Sequence, residues 1–389
     1  MRDQATVRAT YMRGGTSKGV FFNRADLPLK AQQAGPERDA LLLRVIGSPD
    51  PYGKHTDGMG GATSSTSKAV ILSTSQRAGF DVDYEFGQVA IDRPFVDWSG
   101  NCGNLTAAVG AFAIENGLVA ASRVPQNGQA EVRIWQVNTQ KAIIARIPIK
   151  AGSVQELGEF QLDGVTFPAA EIAIEFVDPA GDGALFPSGN LVDELIVPGE
   201  ARLPVTMINA GIPTLFFNAS SLGFSGSETQ ADINTDLALL ERLEHIRAHG
   251  ALAMGLIDDI EAAKTRQHTP KLAWVSAPQA YAASSGKAIA ETDIDLCVRA
   301  MSMGQLHHAM MGTAAVAIAV ASVIPGTLVQ QASGHAPNES VNFGHPSGTL
   351  KVGATVQSEA GQWVAKSVTM SRSARVLMEG YVRIPAALT

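Results

Sequence analysis

Ser99-Gly100-Asn101-Cys102-Gly103-Asn104 runs directly into Leu105-Thr106-Ala107-Ala108-Val109-Gly110-Ala111-Phe112-Ala113-Ile114. A thiol therefore stands at the mouth of a helix built from small residues. The first four N–H groups of a helix have no partner inside it, and the helix dipole adds partial positive charge there. Such a start binds anions and favours the thiolate of a cysteine placed in it. Met311-Gly312-Thr313-Ala314-Ala315-Val316-Ala317-Ile318-Ala319-Val320 repeats the device, with a methionine in place of the thiol. Two anion-binding helix starts, one with a cysteine, predict two similar halves with a cleft between them. The register of the repeat is open by two residues, because either Cys102-Gly103-Asn104 or Thr106-Ala107-Ala108 can set the alignment.

Around these helices the chain reads as an α+β protein. Its 389 residues exceed one ordinary domain, and 38 Gly with 19 Pro predict many turns between short elements. Val7–Arg13 reads as a strand ending at Gly14-Gly15, with a second strand from Val20 and a hairpin around Thr16-Ser17-Lys18-Gly19. A helix is predicted over Arg38–Ile46. Strands are predicted at Ala69–Leu72, Asp81–Phe86, Val132–Val137, Ala142–Ile149 and Ile172–Phe176. Asp178-Pro179-Ala180-Gly181-Asp182-Gly183 has the turn chemistry of a linker, which divides the chain into halves 1–183 and 190–389. The second half opens with strand, glycine turn and strand over 201–217. A long helix over Asp232–His249, the strand Leu272–Val275 and an amphipathic helical pattern over Asp293–Met301, opened by Thr292, follow. The order strand, turn, strand, further strands, small-residue helix thus occurs twice, the mark of an internal duplication.

A net charge of −7 argues against nucleic acid or an anionic membrane as a partner. The opening residues Met1–Arg8 lack the apolar core of a signal peptide, and the longest apolar stretch, 314–324, is too short to span a bilayer. With Cys102 and Cys297 as the only cysteines, no disulfide framework is available, and a reducing cytoplasm is the expected compartment. Cys297 reads as a core thiol.

Several motifs lack the partners their chemistry requires. Ser65-Thr66-Ser67-Lys68 fits the S-x-x-K pattern of serine acyl-transferases, but neither S-D-N nor K-T-G occurs. Gly58-Met59-Gly60-Gly61 is too short for a dinucleotide fingerprint, and Ser285-Gly286-Lys287 lacks the earlier glycine of a P-loop. His307 and His308 are adjacent and cannot clamp one metal as an i, i+4 pair would. Two cysteines cannot hold an iron–sulfur cluster by the usual route. The chemistry that remains needs no cofactor and no metal.

Cys102 and Lys68 are the surviving candidates. Cys102 is flanked by Asn101, Gly103 and Asn104 rather than by core residues, and Gly103 lets a ligand approach the backbone. Lys68 sits among Ser64, Ser65, Thr66 and Ser67 before an apolar strand, where desolvation lowers a lysine pKa toward that of a general base. Thr16-Ser17-Lys18-Gly19 forms a second polar, cationic lip. Lys271, Arg372 and Arg375 are candidate carboxylate clamps, and Gly344-His345-Pro346-Ser347-Gly348-Thr349 is a tight polar turn that is either structural or substrate-facing.

Met12–Gly19, Gly60–Lys68, Ser99–Asn104, Met311–Ala315, Gly344–Thr349 and Met370–Arg375 together resemble the PrpF family, across essentially the whole chain. The resemblance implies the diaminopimelate-epimerase fold: two similar halves, each a mostly antiparallel sheet wrapped around a central helix, with the active site in the cleft. It implies a cofactor-free isomerase of a small unsaturated tricarboxylate such as methylaconitate, working beside an iron–sulfur methylcitrate dehydratase in propionate breakdown. A keto-acid tautomerase of the oxalomesaconate type and a non-catalytic accessory protein to that dehydratase are the alternatives. Epimerases of this fold use two cysteines; here Met311 occupies the second place, and a thioether carries no proton, which argues against a two-thiol racemase.

The family assigns the proton chemistry to a lysine and a cysteine, which fall on Lys68 and Cys102. The expected substrate-binding set is Thr16, Ser17, Lys18, Ser64, Ser65, Ser67, Gly103, Asn104, Lys271, Met311, Gly312, Thr313, Ser371 and Arg372. Whether Cys102 moves a proton or shapes the site stays open, as does a homodimer.

Overall fold

The computed structural model describes residues 3–181, 183–334 and 340–388; Asp182 of the expected linker lies outside them. The chain divides into two compact units. The first comprises Met1–Leu162, Phe167–Ile174 and Arg372–Thr389, and the second Asp163–Thr166 and Glu175–Ser371.

In the first unit, β1 (Gln4–Gly14) and β2 (Ser17–Asn23) form the expected hairpin, closing at Gly14↔Ser17. β2 lies parallel to β3 (Lys68–Thr74), with Val20 opposite Ala69, and β3 runs antiparallel to β4 (Val82–Val89), with Lys68 opposite Gln88. Side chains alternate across each strand, so the two faces have different jobs. Val20, Phe22, Ala69 and Ile71 pack on Leu41, Leu42, Val45 and Ile46 of α1 (Pro36–Ile46). On the opposite face, Phe21 meets Phe112 of α2 (Thr106–Glu115), ring centroids 5.7 Å apart. Burying each phenyl ring contributes about 1.5–3 kcal/mol.

Small and apolar residues surround α2 on every side, and its residues from Thr106 to Ala113 are all buried. A helix without a polar face can only be a core helix. β5 (Asn127–Gln136) and β6 (Lys141–Lys150) complete a long antiparallel hairpin.

The second unit repeats the plan. β7 (Leu203–Ala210) and β8 (Ile212–Asn218) form a hairpin about Gly211. β8 is parallel to β9 (Lys271–Ser276), with Thr214 opposite Lys271. β9 is antiparallel to β10 (Leu296–Ser302), and α5 (Gly312–Val323) is the second buried small-residue helix. Each unit therefore has a hairpin, a parallel strand that begins with a lysine, an antiparallel neighbour, and a core helix.

Three sequence expectations change. The single helix over 232–249 is two helices, α3 (Gln230–Asn234) and α4 (Leu237–Ala253). Asp236 separates them by capping: its carboxylate accepts the Leu239 N–H at 3.0 Å, an arrangement that competes with helix continuation. Residues 293–301 are not a helix. Asp293 ends a 3₁₀ turn, and β10 follows, buried at every position from Leu296 to Ser302. A strand covered on both faces shows no alternation of polar and apolar residues, so its pattern is indistinguishable from that of a buried helix. Cys297 is fully buried within it.

The division expected at 183–190 also differs. Residues 178–181 are tied into the second unit, with the Gly211 N–H donating to the Pro179 carbonyl, and Arg372–Thr389 returns to the first. The strand Ala374–Pro385 pairs antiparallel with β1 from Gln4↔Pro385 to Gly14↔Ala374. Such a pairing is non-local, and turn residues along the chain do not announce it.

Candidate active site

The head of α2 organises the first unit's polar interior. The Cys102 carbonyl accepts the first i→i−4 bond, from the Thr106 N–H at 3.0 Å, and the Met311 carbonyl does the same for α5, from the Ala315 N–H at 2.9 Å. Cys102 and Met311 therefore share the role of first i→i−4 acceptor, although α2 begins at Thr106 and α5 directly after Met311, at Gly312. The Leu105 N–H points at the Cys102 sulfur, 3.5 Å away, so the thiol caps the helix start as a serine hydroxyl would. Tyr84 donates its hydroxyl to the Cys102 carbonyl at 3.4 Å.

Lys68 opens β3 on the α2 face of the sheet and is only 5% exposed. Its amine donates to the Gln88 side-chain carbonyl and lies 5.0 Å from the centre of the Phe86 ring. Burial pushes the Lys68 pKa down from the ordinary lysine value, while the charge and hydrogen bonding of Cys102 push it back up. The amine and the sulfur are thus direct neighbours. A Cβ on Gly19 would stand 2.8 Å from the Lys68 carbonyl and 3.0 Å from Leu105; its absence brings β3 and the helix head together.

Arg372 is 1% exposed, and its Nε donates to the Asn104 side-chain oxygen at 3.2 Å. Burial lowers its pKa to about 10, against an opposing pull from Cys102, so it stays cationic at neutral pH. Asn104 also donates to the Thr16 hydroxyl at 3.0 Å. Gly15, at φ +49°, makes this approach feasible, since a Cβ there would lie 2.4 Å from the Asn104 side-chain oxygen. Desolvation raises the Tyr84 phenol well above its usual value, with the Cys102 charge second. The Cys102 charge therefore acts on an amine, a guanidinium and a phenol.

Thr16, Lys68, Cys102, Gly103, Asn104 and Arg372 thus surround or adjoin one helix start. Ser17 lies on the same sheet face, its hydroxyl buried without a hydrogen-bond partner among the described residues. The serine loop supports this group from behind. The Ser65 carbonyl accepts the Lys18 N–H at 3.0 Å, the Ser67 carbonyl accepts the Gln88 amide at 3.1 Å, and the Ser67 hydroxyl sits 3.3 Å from His55 Nδ1. Ser64 is half-buried beside them.

Lys18 departs from the expected cationic lip. Strand alternation places its side chain on the α1 face of β2, where its amine lies 5.2 Å from the Tyr11 ring centre. Arg375 is exposed and gives no sign of a buried clamp.

Lys271, Met311, Gly312, Thr313 and Ser371 belong to the second unit. Lys271 opens β9 as Lys68 opens β3; its amine lies 3.2 Å from His268 Nδ1 and donates to the Ser302 hydroxyl at 3.4 Å. Met311, Gly312 and Thr313 are buried at the head of α5, and Ser371 is half-buried at the end of the strand Gln362–Arg372. The turn 344–349 is held by the Ser347 N–H to His345 Nδ1 within it and is anchored by the Ser347 hydroxyl, which donates to the His308 carbonyl.

Sequence reasoning missed Gln88, Phe86 and Tyr84, which contact the lysine and cysteine from β4. Period-2 spacing of 84, 86 and 88, read with the pairing of β3 and β4, was the available signal. Among the described residues no cluster of three His, Cys, Asp or Glu is arranged to hold a metal. No helix among them is long and apolar enough to cross a membrane.

Residues 4–385 match the family described as PrpF protein. The chain belongs to the PrpF family. It is 66% identical over 387 residues to the 2-methyl-aconitate isomerase of Shewanella oneidensis, covering 98% of each chain. It is 62% identical over 387 residues to the 2-methyl-aconitate isomerase of Cupriavidus necator, again over 98% of each. A solved methylitaconate-delta-isomerase shares 35% identity and a TM-score of 0.76, covering 100% of this chain and 97% of its own. The expected α+β fold of two alike halves is the fold of this PrpF chain.

Proposed function

We propose that this PrpF protein is a cofactor-free isomerase of 2-methylaconitate. The observation that carries the reading is the buried Lys68 amine beside Cys102 at the head of α2, in a chain 62–66% identical to 2-methyl-aconitate isomerases. In the free-base form, Lys68 takes a proton from the carbon beside the substrate double bond and becomes an ammonium. The electron pair left behind delocalises through the former double bond into the neighbouring carboxylate, giving a dienolate. Rotation about the bond that has lost double-bond character, followed by return of the proton, yields the isomer. No oxidant or group donor enters the balance.

Carbon acids beside a carboxylate are weak, so the anion needs fixed positive charge in a dry site. The helix head at Gly103 and Asn104 and the buried Arg372 guanidinium supply it. Purified protein, with no dehydratase present, is expected to isomerise 2-methylaconitate in deuterated buffer and to place solvent deuterium in the product. Absence of isomerisation overturns the assignment, and isomerisation with no trace of deuterium overturns the proton-transfer route.

Cys102→Ala carries a prediction with a defined sign. Cys102 raises the Lys68 pKa against the effect of burial, so its removal lets that pKa fall further. The acidic limb of the kcat/KM profile, which reports the free amine, is expected to move to lower pH than in the parent. A limb that stays in place or moves upward means that Lys68 and Cys102 do not interact in solution.

A further inference from the structure

A cavity of about 360 Å³ opens in the first unit, lined by Arg24, Arg38, Arg77, Asp83, Glu85 and Trp135 among others. It lies on the opposite face of β4 from the catalytic pair. Tyr84, Phe86 and Gln88 project toward Cys102 and Lys68, whereas Asp83 and Glu85, being out of phase with them, project the other way. Its volume falls in the range of small-molecule sites, about 300–1,000 Å³.

The polar groups here do not balance. Glu85 has both carboxylate oxygens engaged, one by Arg24 and one by Arg38 at 2.7 Å, so a single anion faces two guanidinium groups. Each of the three Arg38 nitrogens already has an acceptor, since Nε and the second terminal nitrogen reach the Ala31 and Gln32 carbonyls. Arg24 differs: its Nε is buried with no partner among the described residues. The Trp135 indole N–H is in the same condition. Arg77 is exposed and rests 4.5 Å from the centre of the Trp135 ring, an arrangement that orients its guanidinium without using its N–H donors. Asp83 offsets part of the charge, and one of its oxygens already accepts the Ser75 hydroxyl at 2.7 Å. Three arginines thus confront two carboxylates, and the unsatisfied buried atoms are donors. Buried donors without acceptors are costly, and a ligand that brings acceptor oxygens removes the cost.

The geometry points to a second ligand site in this cavity, for a compact oxyanion, either a phosphate or a small carboxylate. Arg77 and Arg24 meet its charge, and the Trp135 N–H donates to one of its oxygens. Arginine suits this task because its planar fork matches carboxylate and phosphate oxygens. The site is separate from the proposed isomerase centre and does not depend on it.

Titration calorimetry with inorganic phosphate and, in a second arm, malonate tests the assignment on the intact protein. Saturable binding is expected for at least one of the two, and which one binds tells phosphate from carboxylate recognition. Arg77→Ala and Trp135→Phe are each expected to weaken that binding by about tenfold, and Arg77→Lys by less, because the charge remains. Lys68→Ala is expected to leave it unchanged, which separates this cavity from the anion site at the head of α2. Loss of binding in Lys68→Ala, unaltered binding in Arg77→Ala, or no saturation by either anion overturns the proposal.

Discussion

Lys68→Ala protein is expected to fold like its parent and to lose isomerase turnover by about 10²–10⁴-fold, the usual contribution of a positioned general base. The amine is the group the proposed mechanism leans on: it is buried, bonded to a neutral amide from Gln88, and set beside Cys102. Stability supplies the control. Burial lowers the folded-state pKa of Lys68 below the ordinary lysine value. In the window between that lowered value and the unfolded value, the unfolded chain binds more protons than the native chain. Stability therefore rises with pH through that window, and below it the full cost of holding a buried ammonium is felt.

Lys68→Met removes that cost while filling similar space. Its thermal midpoint at pH 7 is expected to equal or exceed the parent's, although turnover is lost. Near-normal turnover in either variant removes Lys68 from the mechanism; a collapsed Lys68→Met protein makes the residue structural instead.

Arg372→Ala is the second large effect. The guanidinium is almost wholly buried, stays cationic with its pKa lowered to about 10, and orients Asn104 at the head of α2. Removing one fixed donor of this kind from a site that stabilises a developing anion costs about 10²–10³ in rate. The loss is expected chiefly in kcat, because the charge it answers grows in the transition state. Arg372→Lys is expected to recover only part of it, since an ammonium cannot reproduce the Nε contact to Asn104 in the same geometry. A change of less than threefold in Arg372→Ala, with the fold confirmed by circular dichroism, excludes the residue from catalysis.

The two residues of the proposed catalytic pair stood out as candidates in the chain because their signals are local. A cysteine between asparagine and glycine at a helix start, and a lysine between a serine run and an apolar strand, each announce an unusual environment within a few residues. The duplication was legible for the same reason, since two small-residue helices with matched leaders stand out from a chain with ordinary core helices. The strand at 296–302 was not, because burial on both faces leaves no alternation to read. The break at Asp236 was a local signal that the surrounding helical periodicity outweighed.

Taken by itself, the sequence determined which residue types could do proton chemistry, that two related helix starts exist, and that their second copy lacks a thiol. Tertiary structure decided which side chains meet. Strand phase turned Lys18 away from α2 while aiming Lys68 at it, and non-local pairing returned Arg372 and its strand to the first unit beside Asn104. Alternation within a strand can be read from a chain, but its phase relative to the rest of the protein is set by which partner strand and which helix cover each face.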